Sequence, residues 1–383
     1  MKAKFNLFSS LGVIGGMLVV LVAFLCAIPM DVKSAEKQPL GIGFLYPLTG
    51  GASEYGKRFI QSAVMAAEDI NAKGGINGIP IEWVIEDTAG DKAQAVTMYK
   101  KMAANPRIMA INGPQRTDTS LVVDPLTATY WLASLCLAVT EFPKPLSPFM
   151  FHPLSPATWG FKYALAELKK KKGAQTVVIV NSYDSDYPVA MAKGIKAMIP
   201  ELGLKLVGEA TWRTGDVDFS AQLTKIKVLS PDIICSFGHE GELAPFMKQA
   251  RERGISSQFV MTGITVKLVE LSKGAAKGAI EPMMWDPNSA RPEVQDFIKR
   301  FQNKLGRFPD NYEAAAYDNT LLIANAAQRA GTPWNRVAIR DALEKTTKFT
   351  GMCGNYTFNE RRYNAEPTFY LYQAVEGKLI PWP

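Results

Sequence analysis

Short apolar runs alternate with segments of helical periodicity along most of this 383-residue sequence. The first run, residues 40–46, ends in a Pro-Leu-Thr-Gly turn cluster, and apolar residues at helical spacing follow over residues 59–70. Further predicted strands, each next to a predicted helix, lie at residues 81–85, 108–111, 133–139, 176–180, 205–210, 232–237 and 258–262. This alternation of short apolar strands with helices indicates parallel sheets that helices cover on both faces. We therefore predict an α/β fold built from doubly wound parallel sheets.

Two proline-rich segments interrupt the alternation and indicate a division into two lobes. Residues 143–156 contain five prolines and residues 281–292 contain three. The stretch between them is long enough for one α/β domain, and a third crossing is expected near residues 358–364, which would make a multi-strand hinge. The predicted domains are a signal peptide at residues 1–35, lobe 1 at residues 36–150 and 283–358, and lobe 2 at residues 151–282 and 359–383. Two such lobes place a cleft at the carboxyl ends of both sheets.

The amino terminus has the pattern of an export signal. Lys2 and Lys4 precede an apolar run over residues 11–28, and a small-residue cleavage site ends at Ala35. The alternatives are an uncleaved membrane anchor and a lipidated Cys26, although the bulky residues before Cys26 disfavour lipidation. We expect a periplasmic or otherwise extracytoplasmic protein.

Composition excludes several classes of function. The hydrophobic content of 47% is normal for a globular protein and excludes large-scale disorder. Two histidines leave little material for His-based metal sites, and the four cysteines lack the paired spacing of a zinc ribbon. Removing residues 1–35 takes away three lysines and one aspartate, so the net charge falls from +7 to +5, which is too mild to indicate nucleic-acid binding. We predict no cofactor, no metal and no nucleic-acid partner.

Catalytic motifs are also scarce. After the signal there is no P-loop, no GxGxxG opening a helix and no GxSxG elbow. His152 lies among prolines and is interpreted as structural. His239 and Glu240 follow a predicted strand and so belong to the cleft, but two residues on one loop do not define an acid–base pair. An exported α/β enzyme is kept only as an alternative.

The loops after the predicted strands are rich in small hydrogen-bonding residues and aromatic residues. Hydroxyls and backbone amides beside helix N-termini suit a carboxylate, and two tyrosines could cover an apolar group from opposite lobes. The candidate ligand-binding residues are Tyr55, Thr117, Thr119, Ala138, Thr140, Tyr187, His239 and Glu240.

Several ordered motifs resemble the leucine/isoleucine/valine-binding protein family, the periplasmic binding proteins of branched-chain amino-acid ABC transporters. The motifs are Pro47-Leu-Thr-Gly, Glu54-Tyr-Gly56, Asp69-Ile-Asn-Ala-Lys-Gly-Gly-Ile-Asn-Gly78, Glu86-Asp87, Asp218-Phe-Ser, Lys248-Gln-Ala-Arg-Glu-Arg-Gly254, Phe349-Thr-Gly351 and Phe358-Asn359. They cover nearly all of the chain after the predicted signal. The resemblance implies a type I bilobal fold that closes on a small solute, works with membrane permease subunits and is a monomer.

The resemblance also implies roles for the candidate residues. Tyr55 and Tyr187 match aromatic positions around the ligand side chain, although Pro188 replaces the family's glycine after Tyr187. Thr117 matches a serine that binds the ligand carboxylate, and residues 138–140 match an Ala-x-Thr loop that holds carboxylate and ammonium. His239 stands where the family commonly has another aromatic residue.

One departure from the family concerns the charge of the ligand. Members that bind amino acids carry an acid near residues 261–264, and this segment, Met-Thr-Gly-Ile, has none. A buried ammonium without a counter-charge would be costly, so either Glu240 or Asp118 compensates or the ligand is a non-amino carboxylate or an amide. The predicted function is an ABC-importer solute-binding protein for a small amino acid or carboxylate. A sensory receptor domain of the same fold is a further alternative.

Overall fold

The computed structural model describes residues 39–383 except 51, 145, 332, 333, 376 and 377. The predicted signal peptide lies outside these residues. The strands are β1 (Leu40–Tyr46), β2 (Ile81–Asp87), β3 (Ile108–Asn112), β4 (Ala133–Leu135), β5 (Met150–Phe151), β6 (Thr176–Ser182), β7 (Lys205–Trp212), β8 (Ile233–Phe237), β9 (Gln258–Met261), β10 (Ile280–Met283), β11 (Phe349–Gly351), β12 (Gly354–Tyr356), β13 (Tyr370–Val375) and β14 (Lys378–Pro381).

The helices fill most of the segments between the strands. They are α1 (Ser53–Ala72), α2 (Lys92–Ala104), α3 (Thr117–Thr129), α4 (Ala157–Lys172), α5 (Asp186–Met198), α6 (Ser220–Leu229), α7 (Glu240–Glu252), α8 (Val266–Leu271), α9 (Pro292–Leu305), α10 (Asn311–Ala330) and α11 (Arg336–Glu344). Among the described residues, no helix combines the length and apolarity needed to cross a membrane.

The strands form two main sheets, which confirms the predicted α/β architecture. The first sheet has the order β2-β1-β3-β4-β5, and all of its strand pairs are parallel. The second has the order β14-β13-β10-β9-β8-β6-β7. It departs from the all-parallel prediction because β13 runs antiparallel to both β10 and β14. The reason is that the chain enters β13 from a late crossing and turns back in a hairpin, without a covering helix.

Each sheet is the centre of a lobe. Lobe 1 is the first sheet with the helices packed on it, and its core joins β1 and α1 to the late helices α9, α10 and α11. The chain therefore returns to the first sheet after it has built most of the second. Asn112 at the end of β3 joins the first sheet to this returning segment, because its side-chain amide donates to the Ala316 carbonyl of α10 at 2.9 Å. Lobe 2 is the second sheet with α4 to α8.

The crossing segments pair with one another between the lobes. The His152 amide donates to the Arg362 carbonyl at 2.8 Å, and the Asn364 amide donates to the His152 carbonyl at 3.0 Å. The His152 ring stacks on Tyr363 at 4.1 Å. Burial lowers the pKa of His152 to about 3, with smaller contributions from two nearby arginines. The imidazole is therefore neutral, and its place is in the packing of the hinge.

Three cysteines belong to the described residues. Cys136, Cys235 and Cys353 are all buried, and all are free thiols. Burial raises the pKa of Cys136 to about 12 and raises the pKa values of the other two as well.

Candidate functional site

A cavity of about 110 Å³ lies between the carboxyl ends of the two sheets. Lobe 1 and lobe 2 both contribute to its walls, mostly through loops and helix starts that follow a strand. The residues from lobe 1 are Ala52, Tyr55, Phe59, Gln115, Arg116, Thr117, Asp118, Leu137, Ala138, Val139 and Tyr312, and those from lobe 2 are Ser185, Tyr187, Gly238, His239, Glu240, Leu243, Thr262 and Gly263.

The aromatic wall of lobe 1 depends on how closely α1 approaches the end of β1. A Cβ atom on Gly56 would lie 1.8 Å from the Pro47 carbonyl oxygen, so only glycine permits this approach. Tyr55, the residue before it, packs against Phe59, and Phe59 packs against Tyr312 at 5.9 Å between ring centroids. The result is an apolar surface of three rings on one side of the cavity.

Hydroxyl groups and helix N-termini form another part of the wall. Thr117 is the first residue of α3, and its Oγ1 lies 3.1 Å from Thr140 Oγ1. The residues before α1, α3 and α5, which are Ala52, Arg116 and Ser185, provide no capping side chain. Because the amino end of a helix carries partial positive charge and unpaired amides, these ends favour an anionic group in the cavity.

Arg116 and Asp118 form an ion pair beside Thr117. Arg116 Nη2 lies 2.8 Å from Asp118 Oδ2, and Arg116 Nε donates to Asp118 Oδ1 at 3.0 Å. This bidentate contact compensates the charge of Asp118. Asp118, one of the two counter-charges predicted from the sequence for a ligand ammonium, therefore already has a cationic partner.

In lobe 2 the polar side chains pair with one another. The hydroxyls of Tyr187 and Thr262 are hydrogen-bonded, and Ser185 Oγ lies 3.4 Å from His239 Nε2. Burial lowers the pKa of His239, and the positive charge of Arg116 lowers it further, although nearby acids oppose the shift. His239 is therefore held neutral at physiological pH and offers the cavity an uncharged imidazole.

Glu240 differs from the other acids of the cleft because its partners are neutral. It is the first residue of α7, and it accepts a hydrogen bond from the Thr265 hydroxyl. Among the side chains that the structure describes, no lysine, arginine or histidine nitrogen lies within 4.0 Å of its carboxylate. Burial raises the pKa of Tyr55, and the neighbouring Glu240 carboxylate adds to the shift. Tyr55 of lobe 1 therefore faces Glu240 of lobe 2.

A second acid supports the turn that replaces the family's acidic segment. Glu281 on β10 accepts the Gly263 amide at 2.7 Å and the Ile264 amide at 2.8 Å. Both carboxylate oxygens are engaged, so Glu281 holds the turn. Burial raises its pKa to about 7, although the two amides act in the opposite direction.

Six of the eight candidate residues from the sequence line the cavity: Tyr55, Thr117, Ala138, Tyr187, His239 and Glu240. Thr140 lies behind Thr117 and contacts it. Thr119 is buried and is not among the lining residues, and its hydroxyl donates to the Arg116 carbonyl. The sequence reasoning missed Phe59, Gln115 and Tyr312 as lining residues. Tyr312 had no local signal, because it reaches the cavity from a helix rather than from a loop after a strand.

The two lobes also touch at the mouth of the cleft. Lys92 Nζ of α2 lies 2.8 Å from Asp186 Oδ2 of α5, and α3 packs against α5. The two lobes are therefore in contact beside the cavity.

Comparison with known proteins identifies this arrangement. A sequence model described as periplasmic binding protein matches residues 39–378. An amino acid binding protein of Pseudomonas aeruginosa is 27% identical over 307 residues, which are 76% of this chain and 78% of that protein.

Solved structures agree in fold. A leucine-binding protein from Thermotoga maritima is 24% identical with a TM-score of 0.82, and the match covers 90% of this chain and 98% of that one. A branched-chain amino-acid transporter substrate-binding protein from Streptococcus pneumoniae, in complex with isoleucine, is 26% identical with a TM-score of 0.80 over 89% of this chain and 98% of that one. The chain therefore belongs to the periplasmic binding protein family, in the group that includes the leucine/isoleucine/valine-binding proteins.

Proposed function

We propose that this chain is the extracytoplasmic solute-binding protein of an ABC importer, and that it binds a small α-amino acid between its lobes. The observation that carries the proposal is the cavity itself, to which the strand ends of both lobes contribute. A solute that contacts both walls favours the closed form, whereas a solute that contacts one wall cannot shift that equilibrium. Membrane permease subunits are the partners expected for such a protein.

The charge of the cavity favours an amino acid over a plain carboxylate. The helix N-termini beside Thr117 suit the ligand carboxylate, and Glu240 on the opposite lobe is the acid whose described partners are neutral. A ligand ammonium near Glu240 would balance that charge. Segment 261–264 contains no acid, so Glu240 supplies the counter-charge for the ligand ammonium in its place.

The test uses matched pairs of solutes that differ only in the amino group. Calorimetry compares leucine with 4-methylpentanoate and phenylalanine with 3-phenylpropanoate. We expect the amino acid of a pair to bind, and Glu240→Gln to weaken it by about ten- to a hundredfold, because a hydrogen bond to a charged group contributes about 1.5–3 kcal/mol. Glu252→Gln, an exposed change at the other end of α7, is the control and should leave the dissociation constant unchanged.

The opposite result would assign a different ligand class. If the deamino analogue binds as tightly as the amino acid, the ligand is a non-amino carboxylate or amide. If Glu240→Gln leaves the affinity for amino acids unchanged, Glu240 is not the counter-charge of the ligand ammonium. Recovery of the bound solute by mass spectrometry separates binding from catalysis: we expect it unchanged, and a modified product would support the exported-enzyme alternative.

A further inference from the structure

The contact between Lys92 and Asp186 joins residues from different lobes. Lys92 begins α2 in lobe 1, and Asp186 begins α5 in lobe 2. Their side chains are 2.8 Å apart and are 56% and 43% exposed, so the pair lies at the surface. No other lysine–carboxylate pair among the described residues connects α2 with α5.

The pair is placed at the entrance of the cavity. Ser185 and Tyr187, the residues on either side of Asp186, both line the cavity. On the lobe 1 side, the Arg116–Asp118 pair is near enough to affect the pKa of Lys92, whose upward shift comes chiefly from its hydrogen bond to Asp186. Separation of the two lobes would move Lys92 away from Asp186 before it disturbed the interior of either lobe.

Local helix energetics do not account for the lysine. A cation at the first residue of a helix opposes the helix dipole, whereas an acid such as Asp186 at that position is favourable. Asp91, the residue before Lys92, already caps α2 by accepting the Gln94 amide at 2.8 Å. The favourable contact that Lys92 makes is therefore the one across the cleft.

We propose that Lys92 and Asp186 form a latch that stabilises the closed form and so sets how tightly the solute is held. The latch rests on the proposed solute-binding function. Because the pair exists when the lobes are together, its free energy adds to that of the solute contacts and lowers the apparent dissociation constant. An exposed ion pair of this kind changes affinity by about two- to fivefold.

A double-mutant cycle tests the latch directly. Lys92→Gln, Asp186→Asn and the double variant are compared with the parent protein by calorimetry and by stopped-flow release of the tightest solute found. We expect each single variant to weaken binding by about two- to fivefold, mainly through faster release, and the double variant to be no weaker than either single one. The cycle cancels the separate effect of each change on its own helix. Additive losses, or unchanged affinity in all three variants, would overturn the proposal.

The ion pair between Lys196 and Glu209 is a matched control. It has a similar distance of 2.6 Å and similar exposures of 54% and 47%, but both partners lie in lobe 2. Lys196→Gln and Glu209→Gln should leave solute affinity unchanged. The latch effect should also disappear near 1 M salt, where the Debye length is about 3 Å. An effect that survives this salt concentration would contradict an electrostatic latch.

A solute-independent measurement separates the latch from the proposed function. Dyes on the two lobes report the closed fraction of the solute-free protein by single-molecule energy transfer. We expect that fraction to fall in Lys92→Gln and Asp186→Asn but not in the control variants. If the parent protein binds none of the amino acids or carboxylates, the proposed function fails while this measurement still decides the latch; an unchanged closed fraction would then overturn it.

Discussion

At the scale of single residues, Thr117 shows how a polar side chain of the cleft is hydrogen-bonded. Thr117 lines the cavity, and its hydroxyl contacts the Thr140 hydroxyl. The resemblance implies that Thr140 contacts the ligand; in the structure Thr140 is not among the lining residues, and its hydroxyl contacts Thr117. The hydrogen bond between the two threonines thus fixes the orientation of the Thr117 hydroxyl.

Thr117→Val should weaken solute binding because it keeps the shape of the side chain and removes the hydroxyl. One lost hydrogen bond contributes about 0.5–1.5 kcal/mol, so we expect a loss of about two- to tenfold in affinity by calorimetry. Thr117→Ser retains the hydroxyl and should bind nearly as well as the parent protein. Equal affinities for the valine and serine variants would show that the hydroxyl does not contact the solute.

Sequence reasoning reached the residues whose place follows from strand order, and it failed where side chains come from elsewhere in the fold. Tyr55, Thr117 and Tyr187 follow predicted strands, so their position at the carboxyl edge could be predicted. The pairing of Arg116 with Asp118 depends on side-chain geometry, which leaves no mark in the residue spacing. The choice between Glu240 and Asp118 therefore needed the structure.

At the scale of secondary-structure elements, the turn between β9 and α8 depends on a buried acid. Glu281 was not singled out from the sequence, because its segment was interpreted as a proline-rich crossing rather than as strand β10. Its carboxylate is the acceptor for two amides of the turn. Short elements such as β5, β10 and α8 were missed for a related reason. Tertiary contacts, and not a periodic pattern in the sequence, determine their secondary structure.

Glu281 should make the stability of the protein pH-dependent. Its pKa is about 7 in the folded protein against an ordinary value of 4.5, so between these values the folded state binds more protons than the unfolded state. The free energy of unfolding should therefore increase as pH falls from about 8 towards 5, with a limiting slope of about 1.4 kcal/mol per pH unit from this group.

The variant Glu281→Gln isolates this effect. Urea denaturation at several pH values gives the difference in unfolding free energy between the parent and the variant, from which the contributions of other buried groups such as His152 cancel. We expect the free energy of unfolding of the parent protein to increase relative to that of Glu281→Gln as pH falls. The difference between the parent protein and Glu252→Gln should not change with pH. A pH-independent difference for Glu281→Gln would show that the carboxylate titrates normally.

At the scale of the whole molecule, the α/β class and the return to the first sheet were predictable because apolar runs and proline clusters mark them in the sequence. The antiparallel strands β13 and β14 were not, since they lack a covering helix and follow an irregular crossing. The export signal concerns residues that the structure does not describe, and it stays a prediction.

Processing of the amino terminus can be measured on the protein produced in a Gram-negative host. We expect intact-mass analysis of the exported form to give a mass below the 42.0 kDa of the full chain and an amino terminus at Glu36. A chain that keeps residues 1–35 and stays with the membrane would indicate an anchor. A modified amino terminus at Cys26 would indicate lipidation.

The burial of the three thiols has a practical consequence for labelling this protein with a dye. Cys136, Cys235 and Cys353 are no more than 5% exposed, and burial keeps all three protonated at neutral pH. The thiolate is the nucleophile that attacks an alkylating reagent, so these three thiols of the folded protein are poor targets for alkylation. A cysteine engineered on the rim of either lobe would then react with a maleimide dye in preference to these three thiols, and the protein could serve as an optical sensor for its own solute.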